Sequence, residues 1–183
     1  MKARAYRILH ESTGQALVEA AIVLPLLVLL VIGVFEFSRS IQANNIVVNM
    51  SREAANLASR GQAIAPQNIM DAVGDTAQPL NMPAHGMIVI TKIQGVPIGG
   101  VVQTVVAKPS DQAKWAKGSY KVSSKLGTPN KNNFIVTIPS SDGKNLKLQS
   151  GEAAYVAEVF YDYQVTFVNE FTWTPTLYSM SIF

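Results

Sequence analysis

Cysteine is absent from the 183 residues. That excludes a disulfide scaffold, a CxxC redox site and thiolate zinc sites. It leaves the compartment open, because oxidising and reducing surroundings both tolerate a chain without cysteine. Charge is also scarce. Charged residues make up 15% of the chain, against about 25% in an ordinary soluble domain. Hydrophobic residues make up 48%, which excludes intrinsic disorder. Part of this apolar surface is expected to meet something other than water. Catalytic signatures are missing too: there is no HExxH, GxSxG, P-loop, GxGxxG or DxDxDG pattern. Of the two histidines, His10 lies in a basic N-terminal segment, and His85, close to Pro83 and Gly86, reads as a loop residue. No enzyme activity, no cofactor and no metal are expected.

The apolar residues are concentrated in one place. Sixteen uncharged residues, AAIVLPLLVLLVIGVF, separate Glu19 from Glu36. Counted from Ala16, the run is twenty residues with Glu19 as its one charge. At about 1.5 Å per residue, twenty residues span roughly 30 Å, the hydrocarbon thickness of a bilayer. The leading reading is a single-pass helix, and the alternative is a cleaved secretory signal peptide. Against the alternative stand a glutamate at the start of the run and the lack of a small-x-small site where it ends in FEFSRSIQA. Lys2, Arg4 and Arg7 against Glu11 account for two of the three net positive charges. The pI near 9.2 thus owes much to one short segment, and nucleic-acid binding is not expected, because it needs a basic face on the folded domain. The positive-inside rule puts the basic end in the cytoplasm and everything after about Phe37 outside.

The helical pattern continues past the apolar run. Neither Pro nor Gly occurs from Val34 to Arg60, and Gly61 follows. One helix from about Gln15 to Arg60 is expected, roughly 69 Å long. Its second half is rich in Ala, Asn and Ser, which suits close packing on its own head domain or on other helices. Glu36 and Arg39, three apart, are placed to pair.

At the boundary between basic leader and apolar run the chain reads Gly14-Gln15-Ala16-Leu17-Val18-Glu19. This resembles the class III signal of type IV pilin-like proteins, in which a prepilin peptidase cuts after the glycine and leaves the apolar helix in place. Glycine suits a cleavage site because a chain without a side chain enters it easily. The longer stretch from Gly14 to Gly61, with Leu24-Pro25-Leu26-Leu27, Glu36-Phe37-Ser38-Arg39 and Ser51-Arg52-Glu53-Ala54-Ala55, is similar to the N-terminal region of TadE-like proteins. These are pseudopilins of the tight-adherence (Tad, Flp-type) pilus system. A weaker echo of the family is found at Val156-Ala157-Glu158-Val159-Phe160-Tyr161-Asp162-Tyr163. The resemblance implies cleavage between Gly14 and Gln15. It also implies an assembly role for Glu19, whose carboxylate would pair with the freed α-amino group of Gln15 on a neighbouring subunit. The other reading of Glu19 is that it lies close enough to the interface to reach water. A carboxylate costs on the order of 2.5–3.5 kcal/mol at mid-bilayer and less near the interface. Pro25, inside the apolar helix, removes a donor and clashes with the preceding turn, so a kink is expected there.

Beyond Gly61 the chain reads as α+β. A short helix is expected over Ala65–Gly74, ended by Gly74. Strands are expected over Met87–Ile93, Val101–Ala107, Phe134–Ile138 and around Leu146 and Leu148, with Gly95, Pro97, Gly99 and Gly100 in the turn between the first two. Tyr155, Ala157, Val159, Tyr161, Tyr163, Val165 and Phe167 alternate with Glu158, Asp162, Gln164 and Thr166, which predicts a half-buried strand with one solvated face. Phe171, Trp173, Leu177 and Phe183 extend the apolar supply, with Pro175 at an edge or turn. Lys108, Lys114, Lys117, Lys121, Lys125 and Lys131 are opposed by Asp111 alone over that stretch. Lys114, Lys117, Lys121 and Lys125 are the candidates for a patch that meets an anionic surface such as lipid headgroups, polysaccharide or DNA. The alternative is a solvated insertion, with Trp115 and Tyr120 pinning it to the core.

These readings divide the chain into a leader (1–14), a transmembrane and stalk helix (15–60) and an α+β head with an antiparallel sheet (61–183). The head either folds alone or uses the stalk helix as part of its core. The expected protein is a bacterial inner-membrane pseudopilin, N-terminus inside and head outside. Its expected partners are a prepilin peptidase, other pilins through the N-terminal helix, and the bilayer. A main filament subunit and a membrane-tethered binding module using Lys108–Lys131 remain as rivals.

Overall fold

A computed structural model of the chain describes residues 14–61, 64–130, 133–139, 145–165 and 175–183, and for residues 2–13 the helical backbone alone. Helix α1 runs from Lys2 to Arg60 and passes through Pro25 without interruption. It ends where expected: Arg60 is in the last turn, and the Gly61 N–H still donates to the Leu57 carbonyl at 2.8 Å. Contacts divide the molecule into two units, one holding α1 as far as Ile41 and the other beginning at Gln42.

The second unit is built on one sheet. Its strands are β1 (Gly86–Ile98), β2 (Val101–Val106), β3 (Gln112–Lys114), β4 (Phe134–Ile135), β5 (Ala153–Asp162) and β6 (Thr176–Ile182). The order is β4-β2-β1-β5-β6, with β3 beside the first half of β1. All the pairings are antiparallel. Two short helices, α2 (Pro66–Asp75) and α3 (Met82–His85), precede the sheet. His85 thus ends a helix instead of lying in a loop, and its ring meets the edge of Tyr161 at 6.4 Å.

The turn between β1 and β2 is shorter than expected. Gly99 and Gly100 alone form it, at φ +60° and +85°, the double positive φ that a two-residue hairpin loop requires. Gly95 and Pro97 belong to β1. Gly95 points its N–H away from β2, to the Glu152 carbonyl at 2.9 Å. Pro97 has the same parity, so the proline removes no β1–β2 bond. Gly74 does not stop α2, which continues to Asp75. It is glycine because the Trp115 ring lies where a side chain would be: an added Cβ would sit 2.7 Å from a ring carbon. Leu146 and Leu148 form no strand, although the Leu146 N–H bonds the Ile138 carbonyl at 2.8 Å. Of the segment expected from Phe134 to Ile138, Phe134 and Ile135 form the strand paired with β2, and Val136 adds one backbone hydrogen bond to the Thr104 carbonyl at 3.0 Å.

Both faces of the sheet are covered. On one lie Ile88, Ile90, Ala157 and Val159, all buried, and this face receives residues 42–60 of α1. The buried helix positions are Ala43, Val47, Met50, Ser51, Ala54, Ala55 and Ala58, a helical stripe in which small residues let the backbone approach closely. The Ser51 hydroxyl meets those of Ser179 (2.8 Å) and Ser181 (3.0 Å) on β6. Of the two packing options for this stretch, the structure thus shows the helix on its own head. On the other face, Ile93, Val106, Val136, Ile138, Leu148 and Val156 form a second cluster with Leu126.

The expectation of a solvated face on β5 is therefore overturned at Glu158, which is fully buried. Its carboxyl oxygens accept from the Ser124 hydroxyl, the Lys125 N–H at 2.8 Å and the Tyr178 hydroxyl at 3.1 Å. Burial, and then the adjacent Glu158 charge and hydrogen bond, push the Tyr178 phenol well above its ordinary range. Strand β5 ends at Asp162; Thr166, Phe167, Phe171 and Trp173 lie outside the described residues.

A buried valine or methionine contributes roughly 1.5–3 kcal/mol, so Val47 and Met50 alone make α1 a large part of the head's stability. A chain beginning at Gln42 should melt cooperatively. One beginning at Gln62 should expose Ile88, Ile90 and Val159, bind a hydrophobic dye and show no cooperative transition. Matched melting curves of the two chains check this.

Candidate functional site

From Gly14 to Leu30 every side chain of α1 is exposed. Leu17 is 71% exposed, Leu24 64% and Leu30 65%. Among the described residues, this is the one helix long and apolar enough to cross a membrane. A helix satisfies its own backbone hydrogen bonds, which lipid demands. At its start, nothing lies within 4 Å of where a Gly14 side chain would be. One turn on, the Gln15 amide donates to the Glu19 carboxyl at 3.0 Å, so Glu19 already has a partner on its own helix. Glu36 and Arg39 pair at 3.8 Å, with side-chain exposures of 14% and 41%.

The lysine segment is not a single patch. Residues 113–117 are not helical: Lys114 ends β3, and Ala116 and Lys117 form a turn. Lys117 pairs with Asp71 at 3.1 Å. Lys125 lies 3.5 Å above the Tyr178 ring, a cation–π contact worth about 0.5–1 kcal/mol when exposed. Lys114 reaches the Val122 carbonyl at 3.4 Å, and Lys121 is exposed. Lys131 lies outside the described residues.

The aromatic residues do pin this segment. Trp115 is buried and donates through its indole N–H to Asp71 at 2.7 Å. The Tyr120 hydroxyl meets that of Thr176 at 3.0 Å. Gln67 clasps the same stretch, donating to the Lys114 carbonyl at 2.7 Å and accepting from the Ala116 N–H at 3.0 Å. Sequence reasoning missed Asp71, Gln67, Ser51 and Glu158 as organising residues. The one signal for any of them was an acidic residue inside the most apolar strand.

With this geometry established, comparison with known proteins assigns the helix. Residues 14–56 match the TadE-like protein family model. No curated protein and no solved structure matches the chain. The match begins at Gly14 and stops four residues short of the end of α1, so the echo over residues 156–163 lies outside it. The TadE-like segment suggests involvement in Tad pilus assembly, and its apolar helix suggests membrane anchoring.

The Trp115 hydrogen bond first, then the one from Lys117, hold the Asp71 carboxyl below its ordinary value. A depressed carboxyl pKa stabilises the fold above the ordinary carboxylate range, and the contribution is lost as pH falls through the depressed value. The melting temperature should therefore drop on acidification below about pH 4. Asp71→Asn should be less stable than the wild type at pH 6 and should lack that part of the acid dependence. Parallel thermal melts from pH 6 to pH 2 would show whether the two curves converge at the acid end.

Proposed function

We propose that this chain is a membrane-anchored, TadE-like pseudopilin that takes part in assembling a Tad-type pilus. It is a substrate of a prepilin peptidase and not itself an enzyme. The observation that carries the reading is the match over residues 14–56, which starts at the glycine directly before the apolar span. In this reading the peptidase cuts between Gly14 and Gln15 on the cytoplasmic side of the inner membrane. The mature chain keeps its helix in the bilayer and its head outside.

Cleavage changes the electrostatics at the helix start. It creates an α-amino group on Gln15, one turn from Glu19, where four orphan N–H groups and the positive end of the helix dipole are also exposed. A carboxylate there is favoured. When subunits pack side by side, the Glu19 carboxylate of one meets the Gln15 amine of another, which offsets the burial of both charges and fixes the register between helices. Leaving one member of such a pair buried alone costs roughly 3–5 kcal/mol.

The length of the head favours a minor or initiating role over that of main filament subunit, since the major subunits of Flp-type pili are usually much shorter. The Tad system supplies the other partners, pilins that pack through their own N-terminal helices.

Gly14→Val should leave the precursor uncut, as read by intact mass of the membrane-extracted protein. Glu19→Ala removes a charge from an apolar helix, so insertion is not impaired. That variant should accumulate as mature membrane protein while surface pili disappear. A mature N-terminus beyond Phe37 would contradict the processing step, and normal piliation in Glu19→Ala cells would contradict the pairing.

A further inference from the structure

Of the lysines between β2 and β4, the structure commits Lys117 to Asp71 and Lys125 to the Tyr178 ring. Of the others, Lys108 is exposed and Lys131 lies outside the described residues, while Lys114 and Lys121 line one open groove together with Met87, Val122 and Ser123. The groove has a volume of about 430 Å³. Among the described residues no carboxyl group lines it. Among the described residues the Lys114 ammonium has one partner, the Val122 carbonyl at 3.4 Å, which leaves two N–H groups to offer. Lys121 has no carboxylate within ion-pair distance among the described residues.

Two flexible ammonium groups and a serine hydroxyl around one concavity supply several donors and two positive charges. A phosphate group has the matching chemistry: several strong acceptor oxygens and the negative charge to meet both lysines. A lone carboxylate has two oxygens and one charge and uses less of the set. The apolar wall formed by Met87 and Val122 suits an organic body attached to the phosphate.

We propose that the groove between Lys114 and Lys121 binds a phosphate-bearing group. The framework of the groove is fixed by contacts that do not involve the ligand. Gln67 holds the Lys114 carbonyl, Trp115 anchors the next residue to Asp71, and the Ser119 hydroxyl holds the Pro83 carbonyl at 2.7 Å. Lys121, the residue replaced in the test below, makes none of these framework contacts, so replacing it leaves the fold intact.

The test is the acetylation rate of individual lysines in the full chain, read by mass spectrometry in zwitterionic detergent or in bilayers. In one arm inorganic phosphate is titrated against chloride at constant ionic strength. In the other, bilayers of phosphatidylcholine are compared with bilayers that also contain phosphatidylglycerol. Lys114 and Lys121 should be protected together, while the exposed Lys108 and Lys147 keep their rates. Lys121→Gln should weaken protection of Lys114 by roughly tenfold, the effect of one lost charge-assisted hydrogen bond, and Lys121→Arg should retain it. Protection by free phosphate identifies a soluble ligand, and protection only by phosphatidylglycerol identifies a lipid headgroup. Equal rates at all four lysines in both arms, or protection of Lys114 that survives Lys121→Gln, would overturn the proposal.

Discussion

The constraint on which the structure depends is that one helix presents two kinds of surface in succession. From Ala20 to Leu30, α1 is apolar on every side and exposed. From Ala43 onward it is apolar on one stripe, and that stripe is buried against the sheet. Among the described residues nothing covers the first surface, which suits lipid. The second is made of small residues, with Val47 and Met50 as its larger members, and suits a close approach to β1, β5 and β6. Ser51 fixes that approach, because its hydroxyl meets two serines of β6 and is not left buried without a partner.

The other face of the sheet is closed by different means. Among the described residues no second long helix covers it. The excursion between β2 and β5 folds back over β1 and β5, bringing Leu126, Val136, Ile138 and Leu148 onto Ile93 and Val156. Glu158 is the polar centre of this layer. A carboxyl group buried there would be costly alone, but Ser124 and Lys125 bring donors to it from the excursion, and Tyr178 brings one from β6. The same residue that would penalise an open sheet therefore rewards the closed one.

The parts legible in the sequence were the local ones. The end of α1 at Arg60 and the place of α2 follow from short-range pattern, whereas the start of α1 at Lys2, ahead of the expected Gln15, does not. Gln15 and Glu19, four apart on that helix, meet through the same short-range pattern. What period-two alternation could not reveal was the second cover on β5. Glu158 and Asp162 read as a wet face because its cover comes from residues 33 and 34 positions away. Likewise, the lysine run looked uniform until distant partners separated its members: Asp71 for Lys117, Tyr178 for Lys125. Charge counts along the chain do not contain that information.

The central claim is that residues 42–60 of α1 belong to the folded core of the head. Hydrogen exchange on the full chain in bilayers tests it most directly. Amides in the buried stripe from Val47 to Ala58 should exchange with the slow, cooperative rate of β1 and β5, because losing the helix uncovers the sheet. Exchange of that stretch well ahead of the sheet would mean that the helix rests on the head without being part of it, and would contradict the account.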